Sequence, residues 1–148
     1  MKRDLERCLR EIEGQYGNMV SSEKHMRTIS AIARAMSRRY ASILHNGRFR
    51  VGTAQKAVNI YLKLLWSYGW IPEPPHCPID SVILAEIGDT RTRWTRMEGI
   101  EAYRTVIDAI RKHIAKTVPG RSLSEWELDI WNNRRGMGVQ SAVARDGL

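Results

Sequence analysis

Residues 52–70 read GTAQKAVNIYLKLLWSYGW, and the fold turns on how this stretch is read. Ala54, Ala57, Val58, Ile60, Tyr61, Leu62, Leu64, Leu65, Trp66 and Tyr68 leave almost no side of a helix without apolar cover. A helix that is apolar nearly all round belongs inside a protein. Thr53 is placed to cap it, and Gly69 ends it after about residue 68. Yet Lys56, Asn59 and Lys63 are spaced i, i+3, i+7 and share one stripe, which Gln55 joins at i−4 from Asn59. A bare ammonium is costly to bury, so these lysines must reach water, pair, or bind something. Three readings follow. The leading one turns the stripe to solvent with the lysine stems lying along the helix. The second keeps it in the core, holding the proline-rich segment or pairing with Asp80. The third makes it a ligand-binding or catalytic site.

Around this central helix the rest of the chain reads as helical. Leu5, Cys8, Leu9 and Ile12 recur at helical spacing within residues 2–16. A second helix runs from Ser22 to about Leu44, with Ser21 or Ser22 as cap and Asn46-Gly47 as stop. Its apolar face carries Met26, Ile29, Ala33, Met36, Tyr40, Ile43 and Leu44. Residues 48–52, RFRVG, form a short extended link. IPEPPHCPID, residues 71–80, holds prolines at 72, 74, 75 and 78 and is read as rigid extended chain. Asp80 suits the start of a short helix over about 79–87. A fifth helix is expected over 97–117. Ser122 and Glu125 fit a capping box for a sixth, ending near Asn133. The expected fold is all-α, one compact domain of about six helices over residues 1–135, with a tail at 136–148.

Length and composition suit one domain with a real core: 148 residues, 43% hydrophobic. The formal net charge is +8. It is uneven: residues 1–50 carry 11 basic and 5 acidic side chains (+6), residues 51–100 carry 5 and 5 (zero), and residues 101–148 carry 8 and 6 (+2). Between 21 and 50 seven basic residues face one acid, Glu23. Localised charge of one sign points to a polyanion partner, with an ordinary solvated helix face as the alternative. Lys24, Arg27, Arg34 and Arg38 fall near one stripe of the second helix, and Arg39, Arg48 and Arg50 extend it. Guanidinium forks suit phosphate oxygens. Arg91, Arg93 and Arg96 surround Trp94. That cluster could stack a base, but Trp94 is read first as a plug in the core, leaving the arginines in water.

Cys8 and Cys77 fit no metal or redox spacing. Adjacent His76 and Cys77 in extended chain point to opposite sides, which weakens a nucleophile pair. No metal and no cofactor is expected. The start lacks an apolar signal core, and no run reaches the roughly 18 apolar residues of a membrane span. A reduced, cytoplasmic location follows.

RVGTAQKAVNIYLKLLW, then PPHCPIDSVIL, then a Trp and a Tyr-bearing helix resemble a pattern in small helical bacterial and phage-borne proteins of no assigned activity. The resemblance covers about residues 48–107. It implies a bacterial or mobile-element origin, and that the Gln-Lys-Asn-Lys stripe and the Pro-Ile-Asp segment form one unit. A fainter likeness is to helix-hairpin-helix DNA glycosylases, where a lysine helix precedes a proline-containing link and an aspartate near a helix start. Lys63 and Asp80 would be the matching pair, with Lys56 as substitute; the glycine-rich hairpin of that family has no counterpart here.

The function expected first is non-enzymatic binding of DNA or RNA through the basic helix. The second is a protein-interaction module, a homodimer or an inhibitor of a nucleic-acid-handling complex. The third is an enzyme acting on nucleic acid through Lys63 and Asp80.

Overall fold

The structure is a computed structural model whose backbone is described for residues 1–143 and whose side chains are described for residues 1–134. It has six α-helices and, among the described residues, no strand: α1 Lys2–Glu13, α2 Ser22–Tyr40, α3 Val51–Ser67, α4 Ser81–Glu86, α5 Ile100–Thr117 and α6 Leu123–Val143. No helix of the described residues is long and apolar enough to cross a membrane.

Local signals place most of the ends. Ser21 caps α2 by accepting a hydrogen bond from the Lys24 amide at 3.3 Å. Asp80 caps α4, its Oδ1 accepting from the amides of Val82 at 2.9 Å and Ile83 at 3.2 Å. Ser122 and Glu125 form the reciprocal capping box: the Glu125 amide donates to Ser122 Oγ at 3.1 Å, and the Ser122 amide donates to Glu125 Oε2 at 3.3 Å. Glycines at positive φ close three helical connections, Gly69 at 75°, Gly88 at 73° and Gly120 at 91°.

Four boundaries differ from the sequence reading. Helix α2 stops at Tyr40, and residues 41–47 form turns that end on Asn46 (φ 53°) and Gly47 (φ 66°). Helix α3 begins two residues inside the expected extended link, at Val51, with Arg50 rather than Thr53 as N-cap. Helix α5 begins at Ile100, because residues 94–96 form a separate turn against α3. Helix α6 continues past Asn133 to Val143, through the first part of the expected tail at 136–148; residues 144–148 lie outside the described residues.

Helix α3 is the central element, lying against α1, α2, α5 and the 94–96 turn. Ala54, Val58, Leu62 and Leu65 face the core, which Ile29 and Met36 of α2, Ile79 and Ile83 around α4, and Tyr103, Ile107 and Ile110 of α5 complete. Trp94 packs half-buried against this core, so it is a plug rather than a free stacking platform.

Candidate functional site

The polar stripe of α3 turns Gln55 and Asn59 into the core and leaves only its two lysines partly exposed, at 30% and 20% of their side chains. Gln55 and Asn59 are fully buried, while the solvent side of the helix carries Ile60 and Leu64, 40% and 51% exposed. The inversion has a local cause. A segment with prolines at 72, 74, 75 and 78 cannot pair its backbone in a ladder, and buried carbonyls and amides must still find partners. The Gln55 side-chain amide serves as that partner: Nε2 donates to the Ile79 carbonyl at 2.7 Å and Oε1 accepts from the Ile79 amide at 3.1 Å. Ser124 Oγ donates to the Pro74 carbonyl at 2.8 Å from the other side. The core-structural reading of the stripe therefore replaces the solvent-facing one.

Asn59 joins this anchor to a buried chain of neutral groups. Its Nδ2 donates to Gln55 Oε1 at 3.2 Å and to Tyr103 Oη at 3.1 Å. Its Oδ1 is 2.8 Å from His25 Nε2, and His25 Nδ1 is 2.7 Å from Tyr16 Oη. Tyr103 Oη lies 2.9 Å from His76 Nδ1, and His76 Nε2 lies 2.7 Å from Ser22 Oγ, which also accepts from Arg111 at 3.0 Å. One proton arrangement satisfies the run: Tyr16 donates to Nδ1 of His25, Tyr103 donates to Nδ1 of His76, and each imidazole carries its proton on Nε2. Burial holds His25 down at about 4 and His76 at about 2, the latter helped by its neighbours His25, Arg111 and Arg104. Both are neutral structural groups at neutral pH. Cys77 is buried and its thiol is pushed up by desolvation, so it is no nucleophile.

The lysines of the stripe edge toward a pocket of about 300 Å³ between α3, the Pro78–Asp80 segment and α6. Lys56 Nζ lies 3.4 Å from Asp80 Oδ2 and sits over the Trp94 ring, 4.5 Å from its centre. Lys63 Nζ lies 2.9 Å from Oε1 and 2.7 Å from Oε2 of Glu127. The pair Lys63–Asp80 is thus not formed; Lys56 takes the aspartate, and Lys63 takes a glutamate that sequence reasoning passed over. A signal for Glu127 was present: Leu123, Glu127 and Ile130 share the apolar stripe of α6 at i, i+4, i+7. The same spacing marks His25 among Ile29 and Ile32 of α2.

The basic residues divide into separate places. Lys24 and Arg27 line a groove of about 440 Å³ between α1 and α2, beside Glu11. Arg34, Arg38 and Arg48 line a second groove of about 500 Å³, floored by Ala33, Phe49 and Val51. Arg50 and Arg96 line an adjoining depression with His45. Glu98 borders both of the latter and pairs with Arg48 at 3.3 Å. Arg39 turns away to Asp4 of α1 at 2.5 Å, and Arg50 donates to the Thr95 carbonyl at 3.1 Å. Arg91 and Arg93 are exposed on the preceding loop, outside the lining of either groove. Among the described residues Arg34 and Arg38 have no acidic partner within salt-bridge distance.

Comparison with known proteins brings no matching family model, no matching curated protein and no matching solved structure.

Proposed function

We infer that the protein binds the phosphate backbone of a nucleic acid, DNA or RNA, without chemical turnover, along the groove of Arg34, Arg38 and Arg48. The observation that carries this reading is that one groove holds two guanidinium groups with no acidic partner among the described residues and a third paired with a surface glutamate. A guanidinium already bound to a buried carboxylate has little to offer a phosphate; a free one at a groove wall can give a two-point contact. Arg50 and Arg96 in the adjoining depression lengthen the positive track, and the net charge of +8 favours encounter with a polyanion. The enzyme reading through Lys63 and Asp80 has less support, since Lys63 is engaged by Glu127 and Asp80 by Lys56. One feature favours a protein partner as a second reading: Tyr68 and Trp70 stack on each other, 5.4 Å apart, while both are 69% exposed.

Fluorescence anisotropy with labelled single-stranded DNA, duplex DNA and RNA at several salt concentrations tests the inference. Arg34→Glu with Arg38→Glu should weaken binding roughly a hundredfold and reduce the salt slope by about 2, one phosphate contact for each lost arginine. Lys24→Glu with Arg27→Glu, on the other groove, should cost much less. No binding at low salt, or equal losses from the two pairs, would remove the groove from consideration, and a nuclease-resistant complex lost on Trp70→Ala would favour the protein partner.

A further inference from the structure

The pocket between α3 and α6 presents a combination of groups that neither the core nor the basic groove uses. Two ammonium groups, Lys56 and Lys63, and two carboxylates, Asp80 and Glu127, meet around about 300 Å³ with Leu64 and Trp131 as apolar wall. The lysines are not fully committed: their side chains are 30% and 20% exposed, and each meets one carboxylate. Glu127 is 1% exposed and holds Lys63 Nζ between its two oxygens, at 2.9 Å from Oε1 and 2.7 Å from Oε2. Asp80 spends Oδ1 on the α4 cap and leaves Oδ2 to Lys56 at 3.4 Å, a long contact.

We propose that this pocket binds a free α-amino acid with an apolar side chain. Its ammonium would donate to Asp80 Oδ2 and the Glu127 carboxylate, its carboxylate would accept from Lys56 and Lys63, and its side chain would lie on Leu64 and Trp131. The charge pattern selects the class. A phosphate or dicarboxylate brings its charge against Asp80 and Glu127. A polyamine brings its charge against the two lysines. A purely apolar molecule leaves four charged groups desolvated without new partners. A zwitterion meets opposite charge at both ends. The volume stands at the lower end of small-molecule sites, which suits a single amino acid rather than a peptide or nucleotide. The site is independent of the arginine groove.

The test is ¹H–¹⁵N NMR of the full chain, following the Trp131 indole and the backbone amides of residues 80–83 during titration with L-leucine and L-phenylalanine to millimolar concentration. N-acetyl-L-leucine, which lacks the ammonium, and L-leucinamide, which lacks the carboxylate, are the matched probes. Saturable shifts with a free amino acid, and weaker binding of both blocked forms by roughly tenfold or more, are expected. Glu127→Gln should weaken binding to a similar degree. Should that variant unfold, Leu64→Glu replaces it, since Leu64 is half exposed and its loss removes the apolar wall without touching the core. Absence of saturable shifts, equal shifts with the blocked forms, or unchanged binding in Leu64→Glu would each overturn the proposal.

Discussion

Gly52→Ala should cost about 3 kcal/mol or more and is expected to abolish cooperative folding in a domain of ordinary stability. A Cβ built on Gly52 would stand 1.8 Å from the Trp94 carbonyl oxygen and 2.9 Å from its carbon. These are backbone atoms, and they cannot rotate aside. The Gly52 amide also donates to the Met97 carbonyl at 3.0 Å, so the first turn of α3 is pinned to residues 94–97 at the point where the methyl would push them apart. Relief requires moving that turn, and with it Trp94 and the ring on which Lys56 rests. Gly99→Ala is the matched control: nothing lies within 4 Å of its Cβ, and its φ of −118° suits any residue. Urea denaturation of the two variants should separate them by several-fold in stability loss. Comparable midpoints would mean that the 94–97 turn is far more yielding than its hydrogen bonds indicate.

Acid should unfold the protein well above the pH at which carboxylates alone would account for it. His25 and His76 are neutral in the folded state, held at about 4 and about 2, whereas an unfolded histidine titrates near 6.5. Below about pH 6.5 the unfolded chain binds up to two more protons than the native one, so stability falls with falling pH by up to about 2.7 kcal/mol per unit. The loss runs from about pH 6.5 down to about 4 for His25 and continues below that for His76. Two pH units therefore remove about 5 kcal/mol, the scale of a whole domain's stability. Protonating either ring also costs a hydrogen bond, because Nδ1 of each accepts from a buried tyrosine hydroxyl. Asp4, Glu23 and Asp89, whose carboxyls are lowered chiefly by hydrogen bonds from Tyr40, Arg104 and Thr92, add a loss at still lower pH. Glu127 acts in the opposite sense, since desolvation raises its carboxyl and protonation relieves it. Urea midpoints measured from about pH 7.5 to about 5 should fall steeply from about 6.5 downward. His25→Gln or His76→Gln should halve the slope, even where the variant begins less stable. A flat profile to about pH 5 would show that the two imidazoles titrate normally and that the buried chain opens to water.

How the polar stripe was positioned separates what one sequence can show from what it cannot. Helix caps and stops were legible because each is made by residues within four positions of one another: Asp80 with Val82 and Ile83, and Ser122 with Glu125. The all-helical class and the central place of residues 51–67 were legible too, since apolar residues cover that helix nearly all round. The direction of the stripe was not. Gln55 binds a backbone 24 positions away, and Lys63 meets a carboxylate 64 positions away. Whether a glutamine or lysine faces water depends on what stands opposite it, and helical spacing specifies a shared face without saying what lies across from it.

The same limit explains the basic residues. Spacing put Lys24, Arg27, Arg34 and Arg38 on one side of α2, and that much is local geometry. Packing of α1 against one end of the helix and of residues 48–51 and 98–100 against the other divided them into two grooves and drew Arg39 to Asp4. By itself the chain determined its helices, their caps and turns, and which residues share a face, because these follow from interactions a few residues long. Tertiary structure alone decided that Gln55 and Asn59 lie inside while Ile60 and Leu64 lie outside, which carboxylate each lysine meets, and which arginines have no acidic partner among the described residues. Each of these rests on a contact between distant segments, where a buried proline-rich backbone had to find hydrogen bonds and a buried charge had to find its opposite.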